Sequence, residues 1–201
     1  MKNVARFRNG LTPKARQRAV QFIALVPALF VAACAFAQSE NPGVGVYVQA
    51  GRTVHSARNT NDASVGLVVP WPTRTDGWSV LREGYWDIFA SQWDGPSFGG
   101  RRTVFTQVGV IPTLRYRFDE RQSAWFAEAG LGVSFLDGIY GTPDRIFSSR
   151  FNFSEVLALG RNFGPGGNME LALRLQHFSN GGIHEPNPGE NFVQLRYTVR
   201  F

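Results

Sequence analysis

The sequence predicts an all-β protein: an eight-stranded antiparallel up-and-down transmembrane β-barrel, preceded by a cleaved signal peptide. Three observations lead to this prediction. The chain begins with a basic and then apolar segment, eight short segments of alternating polarity follow, and the connections between those segments alternate in length. No helical periodicity of useful length appears after the N-terminal segment, so the sequence favours strands over helices.

The N-terminal segment, residues 1–37, has the pattern of a secretory signal peptide. Its six charged residues are all basic, and they precede an apolar run from Val20 to Ala37 that ends in Ala-Phe-Ala. A signal peptidase requires small residues at these alternate positions, so we expect cleavage after Ala37. A membrane-spanning helix and a lipoprotein acylated at Cys34 are the alternative interpretations of this segment.

The remaining chain, residues 38–201, is interpreted as one barrel domain with no net charge. Removal of six of the 21 Lys and Arg residues leaves 15 basic residues against 15 acidic ones. A neutral chain gives no support to nucleic-acid binding, which needs a basic surface. Since Cys34 is the only cysteine, the mature chain can hold neither a disulfide nor a thiolate site. His55 has no metal-ligand partner at a suitable spacing, and we assign the chain no metal and no cofactor.

Gly, Pro, Asp and Asn residues separate the eight candidate strands. These strands are predicted at about 43–53, 64–71, 78–93, 102–118, 124–136, 148–163, 168–178 and 191–201. The second, fourth and sixth connections are short, whereas the first, third, fifth and seventh are longer. Outer-membrane barrels have an even number of strands, short periplasmic turns and longer extracellular loops. The connection lengths therefore place the N-terminus in the periplasm.

The two faces of the predicted strands separate a membrane barrel from a soluble sandwich, which is the alternative. The face of the strands opposite the apolar one carries charged residues: Arg115, Arg117, Glu128, Arg174, Arg196 and Arg200. Eight strands enclose room only for side chains, so we expect these charges to pair inside the barrel while the apolar face meets lipid. In strands three and six the alternation is less clear, because charged residues occupy positions on the mainly apolar face. These residues are Arg82, Glu155 and Arg161.

The part of the last predicted strand from Val193 to Phe201 alternates regularly and ends in an aromatic residue. This ending resembles the C-terminal signal by which outer-membrane barrels are recognised for assembly. Trp71, Trp93 and Trp125 lie near predicted strand ends, which is typical of the aromatic girdles at membrane interfaces. The sequence thus predicts the cell outer membrane as the location and the barrel assembly machinery as a partner.

His177 and Ser179 carry the residue types that ester hydrolysis needs. They lie two residues apart on predicted strand seven, so their side chains project from the same face. There the imidazole can take the proton of the hydroxyl during attack on an acyl group. The same face carries Leu171, Leu173 and Leu175. We therefore expect the pair on the outside of the barrel, at the outer leaflet, where a nucleophile can reach only a lipid.

A third group must orient the imidazole of His177 and support its protonated form. Glu190 is the better electrostatic partner because it is an anion. Asn191 shares the parity of Val193 and so would face outward beside strand seven. Asn can orient a catalytic His by hydrogen bonding, and the sequence leaves both candidates open.

His177-x-Ser179-Asn180, followed by Pro186-Asn187-Pro188-Gly189 and a short terminal strand, resembles the outer-membrane lipid A 3-O-deacylase family, PagL. The resemblance implies a barrel whose surface His, Ser and acidic triad hydrolyses the ester at the 3-position of lipid A. It also implies that His177 is the general base, that Ser179 is the nucleophile and that Asn187 lines the oxyanion hole, with backbone N–H groups near Asn180 to Gly182 assisting. The family's acidic residue lies 14 positions after its His, where this chain has Asn191.

Two other functions remain open alternatives at this point. Outer-membrane phospholipase A also carries His-x-Ser-Asn-Gly, with Asn as its third triad member, although its barrel is larger. A small barrel of this kind can also serve binding or envelope structure without catalysis. The expected ligands are lipopolysaccharide, through its lipid A, and the surrounding outer-membrane lipid, with a homodimer as an open alternative to a monomer.

Overall fold

Strand formation follows the alternation of apolar and polar residues along the chain. The computed structural model describes residues 43–54, 59–71, 83–119 and 122–201. Its strands are β1 Gly45–Thr53, β2 Asn61–Pro70, β3 Glu83–Pro96, β4 Arg102–Arg117, β5 Trp125–Leu136, β6 Phe151–Phe163, β7 Met169–Ser179 and β8 Glu190–Arg200. Each strand pairs antiparallel with the next, and β8 pairs with β1 to close the barrel. The predicted fold is confirmed, whereas the predicted signal peptide, 1–37, lies outside the described residues.

Three strands begin or end three or more residues away from their predicted limits. β2 starts at Asn61, three residues early, because Asp62 and Ser64 face the interior and hydrogen-bond there at 3.0 Å. β3 runs on to Pro96, which pairs with β4, while its predicted start at 78 lies outside the described part. β6 starts at Phe151 instead of 148. Inward polar residues thus extend β2, where a period-two search for apolar residues places the start of the strand too late.

The barrel interior is filled by ion pairs. The guanidinium of Arg115 contacts the carboxylates of Glu128 and Glu170, each at 2.6 Å, and that of Arg174 contacts Asp87 at 3.1 Å. All five side chains are almost completely buried. Buried charges are tolerated only when they are paired and hydrogen-bonded, so this network confirms the predicted ion-paired interior.

The outer face of the barrel is apolar. Exposed large side chains on it include Leu131, Leu157, Leu159, Leu171, Leu173, Leu175 and Leu195. Glu155 and Arg161 interrupt this face, as their parity indicated, and Arg82 lies outside the described residues. The guanidinium of Arg161 lies 5.8 Å from the ring of Trp125, a cation–π distance. In the described ranges no helix has the length and apolar character needed to cross a membrane.

A layer of aromatic rings lies inside the barrel below the loop that follows β7. The ring of Trp93, predicted from the sequence to lie in an interfacial girdle, is instead completely buried in the interior, with its centroid 4.8 Å from Phe178, 4.8 Å from Phe192 and 5.2 Å from Tyr140. Burial of each such side chain contributes about 1.5–3 kcal/mol. Because Phe178 lies between His177 and Ser179 in the sequence, this packing fixes the end of β7 that carries the candidate site.

Candidate active site

His177 and Ser179 leave β7 on the outer face of the barrel, with Phe178 turned inside between them. Both side chains are half-buried, whereas Leu175, one step further down the same face, is 54% exposed. β7 ends at Ser179, at the extracellular end of the strand in the predicted orientation. The model therefore brings His177 and Ser179 to one face, as the spacing predicts.

Asn191 holds the imidazole from the neighbouring strand. It pairs with His177 in the register between β7 and β8, and its Oδ1 lies 2.8 Å from Nδ1 of His177. Since a carboxamide oxygen only accepts hydrogen bonds, Nδ1 carries the proton and donates it to Asn191. This tautomer leaves Nε2 with a lone pair, which is the form that a general base requires.

Glu190 faces the opposite way, into the barrel. Its carboxylate is 1% exposed, accepts a hydrogen bond from the hydroxyl of Tyr140 at 3.1 Å and lies 3.8 Å from the guanidinium of Arg145. Burial and the charge of Glu190 raise the pKa of Tyr140, which keeps that phenol a neutral donor. Of the two open candidates for the third group, Asn191 contacts the imidazole and Glu190 contacts Tyr140 and Arg145.

The backbone of Gly189 passes close to the edge of the imidazole. A Cβ at this position would lie 2.6 Å from Cε1 and 3.1 Å from Nε2 of His177, and the residue has a φ of +61°. Both conditions require glycine. The guanidinium of Arg145 donates to the carbonyls of Pro188 and Gly189 at 3.0 and 2.9 Å. The loop before β8 is thereby held against the imidazole.

Asn180 and Asn187 organise the loop that begins where β7 ends. The backbone N–H of Asn180 donates to Oδ1 of Asn187 at 3.0 Å. The Asn180 side chain is buried and donates to Ser148 and to the carbonyl of His184, while it accepts from the N–H of Gly182. With its Oδ1 turned to Asn180, Asn187 has its amide NH₂ directed away from that bond and available as a donor.

A groove of about 960 Å³ contains His177 and Asn191 and continues along the outer face across five strands. Glu155 is its one acidic lining residue among those described. The rest of the lining is largely apolar and includes Leu114, Ala129, Gly130, Leu131, Leu157 and Leu175. An alkyl chain can lie in such a groove with its ester at the imidazole. In the described ranges no group of three or more His, Cys, Asp or Glu is placed to hold a metal ion.

Several contacts that shape the site were not predicted from the sequence. Arg145 contacts the loop carbonyls from a position 44 residues before Gly189, and Ser148 reaches His184 and Asn180 over 32 residues or more. No local pattern signals such contacts. The outward parity of Glu155 was noted in the sequence, but its proximity to His177 depends on strand register.

The chain resembles known lipid A deacylases. A family model described as "Lipid A 3-O-deacylase (PagL)" matches residues 61–200. Lipid A deacylase PagL of Bordetella bronchiseptica is 34% identical over 178 residues, covering 84% of this chain and 90% of the relative. Its namesake from Pseudomonas aeruginosa is 29% identical over 116 residues, covering 58% and 64%. A crystal structure of the outer membrane enzyme PagL superposes with a TM-score of 0.63 and 26% identity, covering 77% of this chain and 98% of that one.

Proposed function

The chain belongs to the lipid A 3-O-deacylase family, PagL, and we propose that Ser179, His177 and Asn191 carry out its reaction. The protein is an outer-membrane enzyme that hydrolyses the ester-linked 3-hydroxyacyl chain at the 3-position of lipid A. One observation supports the assignment of residues above the others. The Nδ1 bond to Asn191 orients His177 on the lipid face, two residues before Ser179 on the same strand.

In the proposed mechanism Ser179 is the nucleophile and His177 is the general base. Nε2 of His177 takes the proton of the Ser179 hydroxyl while Oγ attacks the acyl carbonyl. The imidazolium then gives this proton to the departing 3-oxygen of the sugar, which leaves an acyl-serine ester. Water, deprotonated by the same Nε2, hydrolyses that ester and releases the 3-hydroxy fatty acid. Asn191 keeps the required tautomer throughout.

We assign oxyanion stabilisation to the side-chain amide of Asn187. Its Oδ1 accepts from the backbone of Asn180, which supports an orientation with Nδ2 free to donate to the substrate. The resemblance also implies a role for Asn180. Because its N–H and its side chain both bind within the loop, we propose that Asn180 acts by orienting Asn187. Loss of one oxyanion donor typically costs about 10²–10³-fold in kcat.

The substrate would lie with its sugar at the loops and its acyl chain in the groove. The apolar lining below His177 supports this placement, because acyl burial follows the hydrophobic effect. The match of residues 61–200 to the deacylase family favours the deacylase over the phospholipase and the non-enzymatic alternatives. Recognition by the barrel assembly machinery and homodimer formation remain predictions.

Mass spectrometry of lipid A tests the proposed residues. A Gram-negative host expressing this chain should lose one 3-linked acyl chain from its lipid A, and a host expressing Ser179→Ala at equal membrane abundance should not. The Ser179 oxygen is the attacking atom, so its removal should abolish release while the barrel still assembles. Lipid A that is equally deacylated in both hosts would contradict the assignment of Ser179. Appearance of lysophospholipid with intact lipid A would instead favour the phospholipase.

A further inference from the structure

Glu155 is a charged group on the lipid-facing surface that the proposed mechanism does not use. It lies in β6, exposed on the outer face between Phe153 and Leu157. Among the described residues, no hydrogen bond or ion pair engages its carboxylate. A carboxylate that borders hydrocarbon costs free energy, and such residues mark functional sites in membrane proteins. The position of Glu155 therefore calls for a cationic neighbour.

Strand register places Glu155 beside His177. The two residues are direct cross-strand partners in β6 and β7, just as His177 and Asn191 are in β7 and β8. The three side chains form a row across three strands, with the imidazole in the middle. Directly opposed residues on one face have Cβ atoms about 4.5–5.5 Å apart, which a glutamate side chain can span. Glu155 and His177 also line the same groove.

The reaction calls for a negative charge that Asn191 cannot supply. His177 becomes an imidazolium when it takes the Ser179 proton, and in Ser-His-Asp enzymes the acidic residue stabilises this cation. Asn191 accepts the Nδ1 hydrogen bond but is neutral. Glu190 lies behind, on the inner face of β8; its charge also interacts with His177, but less than with the guanidinium of Arg145 3.8 Å away, which offsets it. On the outer face, Glu155 is the carboxylate in register with the imidazole.

We propose that Glu155 is a positioning residue of the deacylase, which supplies from β6 the negative charge that stabilises protonated His177. The two tasks of a third triad member are then divided between strands, since Asn191 orients the imidazole from β8 while Glu155 provides charge. No bond forms or breaks at Glu155. The inference rests on the proposed roles of His177 and Ser179.

The test compares purified full-length enzymes acting on lipid A in mixed detergent micelles. Glu155→Gln should lower kcat about tenfold, equivalent to about 1.4 kcal/mol, and leave KM unchanged, because the charge acts only once His177 is protonated. Glu155→Asp should recover part of this loss. Arg161→Gln is the matched control, since it removes an outward charge from the same strand at the other end, and it should retain full activity. Heat-modifiable gel mobility confirms that each variant is folded.

A second charge placed on β8 separates an electrostatic role from a structural one. In an Asn191→Glu background the charge is restored next to the imidazole, so Glu155→Gln should there change kcat less than twofold. Equal losses in both backgrounds, or a loss confined to KM, would overturn the inference. The kcat and KM of the single variants decide the matter if Asn191→Glu is itself inactive. Full activity of Glu155→Gln beside an inactive Ser179→Ala overturns this inference alone, whereas an active Ser179→Ala overturns the proposed function as well.

Discussion

Gly189 and Asn191 fix the His177 imidazole from two directions. Asn191 binds Nδ1 at 2.8 Å from the neighbouring strand, and the Gly189 backbone closes on the ring edge that carries Cε1 and Nε2. Neither residue carries a charge, so their contribution is geometric. A general base contributes only when it lies within hydrogen-bond reach of its proton, and these two contacts determine where Nε2 points.

Gly189→Ala should reduce kcat by at least about tenfold, because the new Cβ would displace the imidazole and a shift of about 1 Å can cost 10²-fold in rate. Release of fatty acid from lipid A micelles measures this. Gly166→Ala is the matched control, since Gly166 also has a positive φ, +63°, but no atom lies within 4 Å of the Cβ that it would gain, and it lies in the β6–β7 turn at the opposite end of the barrel. Equal losses in the two variants would show that backbone strain, and not contact with His177, is responsible.

The choice between Glu190 and Asn191 shows what the sequence can and cannot decide at this scale. Parity predicted that Asn191 faces outward, as it does beside His177, and charge favoured Glu190. The two residues differ because β8 begins at Glu190, which pairs with Phe178 and therefore faces the interior. The residue at which a strand begins depends on its pairing with the neighbouring strand. The sequence alone does not show that pairing.

At the scale of elements, the proposed active site is the end of one strand together with two neighbouring loops. β7 supplies His177 and Ser179, the loop 180–189 returns over them, and the loop 137–150 contributes Arg145 from the far side of β6. The strand alternation was predictable because it is a local, period-two property. The contact between the loops was not, since it joins residues about 44 positions apart through irregular backbone.

Arg145→Met should lower kcat several-fold with little change in KM, because it removes both hydrogen bonds to the Pro188 and Gly189 carbonyls while it keeps an apolar stem. Steady-state kinetics in mixed micelles provide the measurement. Arg101→Met, which removes an exposed charge from the preceding long loop, should leave both constants unchanged. A rise in KM at constant kcat would instead identify Arg145 as a ligand of the lipid A phosphates.

The whole molecule depends on a charged interior that is continuous from strand to strand. Asp87 accepts a hydrogen bond from the hydroxyl of Tyr47 at 2.6 Å and contacts the guanidinium groups of Arg174 and Arg196 at 3.1 and 2.8 Å. All of these groups are buried. The sequence indicated that charges would lie inside, but their partners come from strands distant in the chain and follow only from barrel closure.

Asp87→Asn should destabilise the barrel by roughly 3–5 kcal/mol, because it removes the carboxylate that pairs with the buried Arg196 and one of the two carboxylates that pair with the buried Arg174. Urea unfolding in lipid vesicles measures this loss. Asp94→Asn breaks an ion pair with Arg102 whose side chains are 46% and 40% exposed, and exposed pairs contribute at most about 1 kcal/mol. Similar losses in the two variants would mean that the interior network contributes no more than a surface pair.

The packed interior also keeps this barrel from acting as a channel through the membrane that contains it. Ion pairs fill its middle and the aromatic rings around Trp93 lie across its loop end, where the indole is fully buried. Ions and nutrients are therefore offered no aqueous path through the described barrel. In the proposed mechanism all of its chemistry takes place on the outside wall, so a cell can raise the copy number of this enzyme and remodel its surface without making its outer envelope leaky.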